Sequence, residues 1–209
     1  MTTVGHKYVF QYNMEDVISN SYKDFHAKGM DYICLTRSPE QTLKFYLLDG
    51  DVTKIPEVVN PHDHRYAFET QVLAGKMFDH RYMIGKESEN ALSYQLFDYK
   101  TPLNGGDGFT FKREEWLKKY HTETMEAGGI LFSKPTDIHT IQMGSDQVIL
   151  CLRQFKDVIP IDQPTSTWVH QGLSKPDLTG LYSQFTPDEV RDRIKKIQSV
   201  VRFTIEEKV

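Results

Sequence analysis

The sequence predicts an all-β core of the antiparallel sandwich or barrel kind, with one helix near each end. From Val58 onward, short runs of alternating apolar residues succeed one another, each broken by turn residues. Aromatic residues make up 12% of the chain, and most Phe and Tyr fall inside those runs, where β propensity favours them. Clear helical spacing of apolar residues is confined to the two ends.

With 209 residues and no repeat, low-complexity tract or boundary, one domain over 1–209 is expected. The formal charge of −4, with Lys and Glu interleaved, leaves no basic stripe for nucleic acid. No run of eighteen apolar residues could cross a bilayer, and no basic segment leading into an apolar one marks export. The expectation is a cytoplasmic protein with no membrane partner. Cys34 and Cys151 stand far apart outside any CxxC, which predicts two reduced, buried thiols.

Asn13 caps a pattern of Val17, Ile18, Tyr22 and Phe25 that Gly29 stops, so a helix is placed over about 13–28. Met30 to Thr36 is β-prone, Ser38-Pro39-Glu40 turns, and Thr42 to Leu48 is a second strand closed by Asp49-Gly50-Asp51. Strands follow over Tyr66 to Leu73, Met77 to Ile84 and Leu92 to Tyr99. Asn104 to Gly108 is glycine-rich but lacks the Lys-Ser/Thr ending of a phosphate loop, and reads as a connector. Phe109 to Tyr120 carries both helical and extended signals; the strand is placed over Trp116 to Met125. Ile130 to Phe132 leads through Pro135 to Ile141, and after a turn at Gly144-Ser145-Asp146 comes a strand over Gln147 to Phe155. Residues 160–180 read as an ordered arm or covering loop. Thr186-Pro187-Asp188-Glu189 then opens a helix with a capping box and a first-turn proline. Its stripe of Val190, Ile194, Ile197 and Val201 must pack on the β-domain or on a partner chain.

Within this frame Pro61-His62-Asp63-His64 is the motif that carries chemistry. Two histidines two apart on extended backbone share a face, and His139 stands at the end of a later strand. Three neutral imidazoles brought together bind a first-row divalent metal: Fe, Zn, Cu, Ni or Mn, according to geometry and supply. Arg153 stands on the strand that follows His139. An arginine inside an apolar barrel needs an anion, which makes it a candidate substrate clamp; the alternative is an outward salt bridge. His80 and Tyr82 alternate after Gly75 as candidate pocket residues, Tyr82 among the catalytic candidates, and Tyr46, Tyr66 and Tyr94 are candidates for a nearby phenol or for packing. His121 is placed on a strand adjacent to the site.

Pro61-His62-Asp63-His64, Glu69 and Gly75, followed by Gly129 through Pro135 to His139, resemble the two motifs of the cupin superfamily in order, over about 42–155. The resemblance implies a jelly-roll barrel, the double-stranded β-helix, with a metal in its mouth. The pattern is most similar to the cysteine-dioxygenase-like group: a helix before the barrel, His-Asp-His in the first motif, Leu73-Ala74-Gly75 closing it, and one histidine in the second. That likeness implies Fe(II) held by His62, His64 and His139 without a carboxylate, dioxygen and substrate in the open positions, and Arg37 as the substrate-anchoring arginine. Two departures stand out. The cupin glutamate usually stands seven residues before the glycine, whereas Glu69 stands six before Gly75 and Phe68 fills the place. Glu69 is thus a metal ligand only if a bulge turns it inward, and otherwise an exterior carboxylate paired with Lys or Arg. The Ser, His and Tyr of thiol dioxygenases are matched by Ile149, Cys151 and Arg153, which argues against a thiol. The expected function is an Fe(II) dioxygenase acting on a small anionic organic substrate. The alternatives are a redox-neutral isomerase, epimerase or lyase using Mn, Ni or Zn, and a non-catalytic ligand-binding barrel. The cupin likeness and the C-terminal helix make a homodimer the expected assembly.

Overall fold

The computed structural model describes residues 9–50, 60–88 and 90–208. Asp51, Val58 and the first eight residues, which entered the turn, strand and export readings, lie outside the described residues. In chain order come β1 (Val9–Tyr12), α1 (Met14–Asn20), β2 (Met30–Arg37), β3 (Gln41–Asp49), β4 (Tyr66–Ala74), β5 (Lys76–Gly85) and β6 (Leu92–Lys100). Then follow β7 (Gly108–Glu126), β8 (Ile130–Ser133), β9 (Ile138–Met143), β10 (Gln147–Asp157), β11 (Thr165–His170), α2 (Pro187–Gln198) and β12 (Thr204–Glu207).

Two five-stranded sheets dominate, ordered β2-β3-β10-β4-β8 and β11-β6-β7-β5-β9. Every pairing in them is antiparallel, and strands distant in sequence lie side by side: β10 sits between β3 and β4, and β5 between β7 and β9. This wound antiparallel topology is consistent with the jelly roll expected from the sequence. Tyr32, Tyr46, Phe68, Val72, Met77, Val148 and Leu150 fill the space between the sheets. The outer face of the first sheet is also buried: Ile33, Phe45, Leu47 and Ile149 pack with Val17 of α1 and with Val190, Ile194 and Ile197 of α2. The C-terminal stripe therefore covers the β-domain of its own chain. The capping box of Thr186 and Glu189 is formed at its start.

Three elements differ from the sequence reading. The first helix ends at Asn20 rather than near Lys28, because Ser21 turns extended and its hydroxyl accepts from the Cys34 amide at 2.9 Å. Tyr22 then bridges to Tyr32 as an isolated β pair. β7 starts at Gly108, eight residues before Trp116, and pairs with β6 through its first half and β5 through its second. The 160–180 arm holds a true strand, β11, which joins β6 along Thr165–His170 and buries Trp168.

Candidate metal centre

The Pro61–His64 motif lies between the two edges of the second sheet. His62 exchanges backbone hydrogen bonds with His139 on β9, at 2.9 and 3.0 Å, and forms a bridge with Thr167 on β11. The Trp168 amide donates to the Pro61 carbonyl at 2.8 Å, and the His64 amide to the Pro135 carbonyl at 3.0 Å. The side chain of Asp63 points the other way and accepts from the Ser166 amide at 2.6 Å. Extended backbone fixed along both margins leaves His62 and His64 on one face, as the two-residue period requires.

The rings of His62 and His64 are 4.6 Å apart, and each is 5.1 Å from that of His139. One nitrogen from each lies within 4.8 Å of the others, a cluster able to hold a metal ion. Two of the three tautomers are fixed. His62 Nδ1 donates to the Asn60 carbonyl at 2.8 Å, and His139 Nδ1 to Asp79 Oδ1 at 2.5 Å. Each keeps its Nε2 lone pair free. His139 Nε2 and His64 Nδ1 are buried with no hydrogen-bond partner. Buried ring nitrogens without a partner are costly unless a ligand satisfies them, so the residues fit a bound cation. Burial, aided by His139, lowers the pKa of His62 to about 3, and burial also places His64 well below the usual imidazole range. Both rings are neutral donors at neutral pH.

Asp79, fully buried on β5, was not singled out in the sequence. Burial raises its pKa, but the hydrogen bond from His139 and the charge of Arg81 outweigh that and hold it below the ordinary carboxylate range. Arg81 bonds Asp79 through Nε, Asp137 at 3.0 Å and Ser133 at 2.8 Å. A residue spacing of two on the face that begins with Met77 is the signal that could have found this pair.

The imidazoles open into a cavity of about 610 Å³. Phe68, the residue seven before Gly75, packs its ring 4.6 Å from that of His64 and 5.6 Å from that of His139. An apolar wall thus stands where the likeness led one to seek a carboxylate. Arg37 lines the mouth and donates to Tyr32 Oη at 3.0 Å, while Tyr46 and Tyr66 line the interior. Also missed were Lys44, His26 and Tyr182. His26 Nδ1 and Tyr182 Oη lie 2.9 Å apart, and Tyr182 Oη and Tyr99 Oη 3.1 Å. Asp24, His26 and Tyr182 are the non-glycine residues with positive φ among the described residues, and they gather at this mouth. Strained backbone of this kind is characteristic of functional rims.

Several predicted site residues are not brought here. Glu69 and Arg153 face outward on β4 and β10 and pair with each other at 3.1 Å, with side chains 35% and 44% exposed. The inward residues of β10 are Val148, Leu150, Leu152 and Gln154, while Ile149 and Cys151 pack toward α2. Tyr82 lies on the opposite face of β5 from Asp79, in a separate cluster with Tyr94, Leu96 and Trp168. His80 bonds Thr122 and Gln142 away from the cavity, and His121 is exposed beside Glu123.

Three clustered imidazoles at the head of a cavity in a wound β-barrel define a candidate metal centre. No family model and no curated protein matches the sequence. Solved structures similar to it include a cupin superfamily protein of Desulfitobacterium hafniense, 9% identical over 60% of this chain and 76% of that one, with a TM-score of 0.35. Hydroxypropylphosphonic acid epoxidase from S. wedmorenis is 13% identical over 65% of this chain and 56% of its own, with a TM-score of 0.40. The cupin domain of Schizosaccharomyces pombe Cnp3 is 10% identical over 62% of this chain and 66% of that one, at 0.36. This chain thus spans a little over half of the epoxidase. Among the described residues no helix is long and apolar enough to cross a membrane.

Proposed function

We propose that this protein is a metal-dependent cupin enzyme, an Fe(II) dioxygenase that inserts oxygen into a small anionic organic substrate. The observation that carries the reading is the donor set: three neutral imidazoles, two with orphaned buried nitrogens, and no carboxylate among them. Neutral donors leave the double charge of a divalent ion uncompensated, which favours an anionic partner in the same cavity. Bound there, iron(II) would supply open positions at which dioxygen and substrate meet.

The chain's own part is positioning and exclusion. Asn60 and Asp79 hold His62 and His139 in the tautomers that present Nε2. Phe68, Met77, Leu150 and Leu152 exclude water from one end of the cavity, and Arg37 meets an entering anion at its mouth. Neither Arg153 nor Glu69 takes part.

Anaerobic purification, metal analysis and an oxygen electrode with a panel of thiols, diketones and aromatic acids test the reading. Stoichiometric iron and substrate-dependent oxygen uptake are expected; iron-loaded protein that consumes no oxygen with any acid of the panel counts against it. The hydrogen-bonded His26, Tyr182 and Tyr99 favour a second reading, a redox-neutral isomerase, epimerase or lyase in which these groups move a proton. Zinc, nickel or manganese with turnover but no oxygen uptake selects it.

A further inference from the structure

Among the described residues, one buried cation in this barrel has no counter-ion. Lys44 sits on the inward face of β3, is 3% exposed, and lines the cavity that the imidazoles head. Its ammonium has three donors. One goes to Tyr66 Oη at 3.0 Å and one to Gln154 Oε1 at 2.9 Å. The rings of Tyr66, Tyr32 and Tyr46 surround it at 4.7, 5.5 and 6.0 Å from Nζ to centroid. Among the described residues no Asp or Glu pairs with it, in contrast to buried Arg81, which has both Asp79 and Asp137. Phenols and an amide solvate a buried ammonium without neutralising it.

The position is as telling as the charge. The Tyr66 ring lies 4.7 Å from Lys44 Nζ on one side and 5.6 Å from the His64 ring on the other. The cation therefore stands one aromatic ring away from the imidazole cluster, deeper than exposed Arg37. The cavity is of a size that suits a small organic ligand. A lysine is a compact point charge that accepts an oxyanion of either planar or tetrahedral geometry.

Resting on the reading above, we propose that Lys44 is the substrate-anchoring residue: its ammonium binds the carboxylate or phosphoryl group of the substrate and holds the remainder against His62, His64 and His139. The role assigned to Arg153 from the sequence passes to Lys44 on the adjacent strand, which lies opposite Leu152, one residue along from Arg153, and on the inner face.

The test is calorimetric titration of the full chain with sodium acetate and, separately, sodium phosphate at constant ionic strength. It is run in the wild type and in His62→Ala, so that anion binding is read apart from any metal. One of the two anions is expected to bind at a single site in both proteins, and the tighter one names the group. Lys44→Met should raise the dissociation constant at least tenfold, Lys44→Arg should restore most of the affinity, and Arg153→Ala should leave it unchanged. Equal affinity in wild type and Lys44→Met, or no binding of either anion, overturns the proposal. Should Lys44→Met fail to fold, the Nζ signal of Lys44 in ¹⁵N-lysine-labelled wild type decides: a shift on adding the anion is expected, and a still signal overturns it. Wild-type protein that binds the anion but takes up no iron would count against the iron reading alone.

Discussion

His62, His64 and His139 are fixed in different ways, and the differences set testable expectations. His139 is held by Asp79, itself backed by Arg81. A carboxylate behind a ligating imidazole orients the ring and raises its basicity. Asp79→Asn should therefore weaken metal binding by about 10–100-fold with the fold intact, as read by competition with a chromophoric chelator. An unchanged affinity would reduce Asp79 to a structural role. At the mouth His26 is exposed to the cavity, and desolvation by the surrounding protein, reinforced by the charge of Lys44, lowers its pKa to about 4. The unfolded chain takes up that proton near pH 6.5 and the folded one only near 4. Its contribution to stability is thus complete above about pH 6.5 and lost as the pH falls toward 4. An NMR titration of the His26 ring should show a midpoint near 4 that rises in Lys44→Met; a midpoint at 6.5 would show that the cavity leaves this ring fully solvated. The three histidines were legible because spacing on extended backbone decides facing. Arg153 was not, since both faces of β10 are buried and Ile149 and Cys151 mimic inward residues. Lys44 was masked by the apolar run from Leu43 to Leu48, whose two faces pack in different clusters.

At the level of elements, the histidine motif is placed by its neighbours rather than by its own propensity. The Asp63 side chain ties it to β11, and removing that acceptor leaves the half-buried Ser166 amide without it. Asp63→Ala should cost about 1–3 kcal/mol in a denaturant titration and loosen the site; a neutral result would show that the backbone pairs alone suffice. Gly75 turns β4 into β5 at φ +78°, and a Cβ there would meet the Gln147 carbonyl at 2.1 Å. Gly75→Ala is accordingly expected to lower the melting temperature, and retention of the wild-type value would show that the turn yields. The strands of the barrel were readable from alternation and turn residues. The length of α1 was not, because Tyr22 and Phe25 sit at helical spacing while serving the cavity wall, and no local signal announces the Ser21–Cys34 bond. The β11 strand was hidden among prolines and polar residues that suggest a loop.

Across the whole molecule, the first sheet is sandwiched between the cavity side and the helical layer, so stability and chemistry draw on opposite faces of the same strands. Ile197, on the inner face of α2, is fully buried. Ile197→Ala should cost about 2–5 kcal/mol yet leave the ligand geometry in place, so thermal stability falls while metal stoichiometry holds. Loss of both together would mean that the two faces are coupled. The central claim, that His62, His64 and His139 form one metal site, is tested most directly by titrating metal-free protein with cobalt(II) and following its visible absorption. Saturation at one equivalent, abolished in His139→Ala with the circular dichroism of the fold retained, is the predicted result. Identical titrations of wild type and His139→Ala would contradict it.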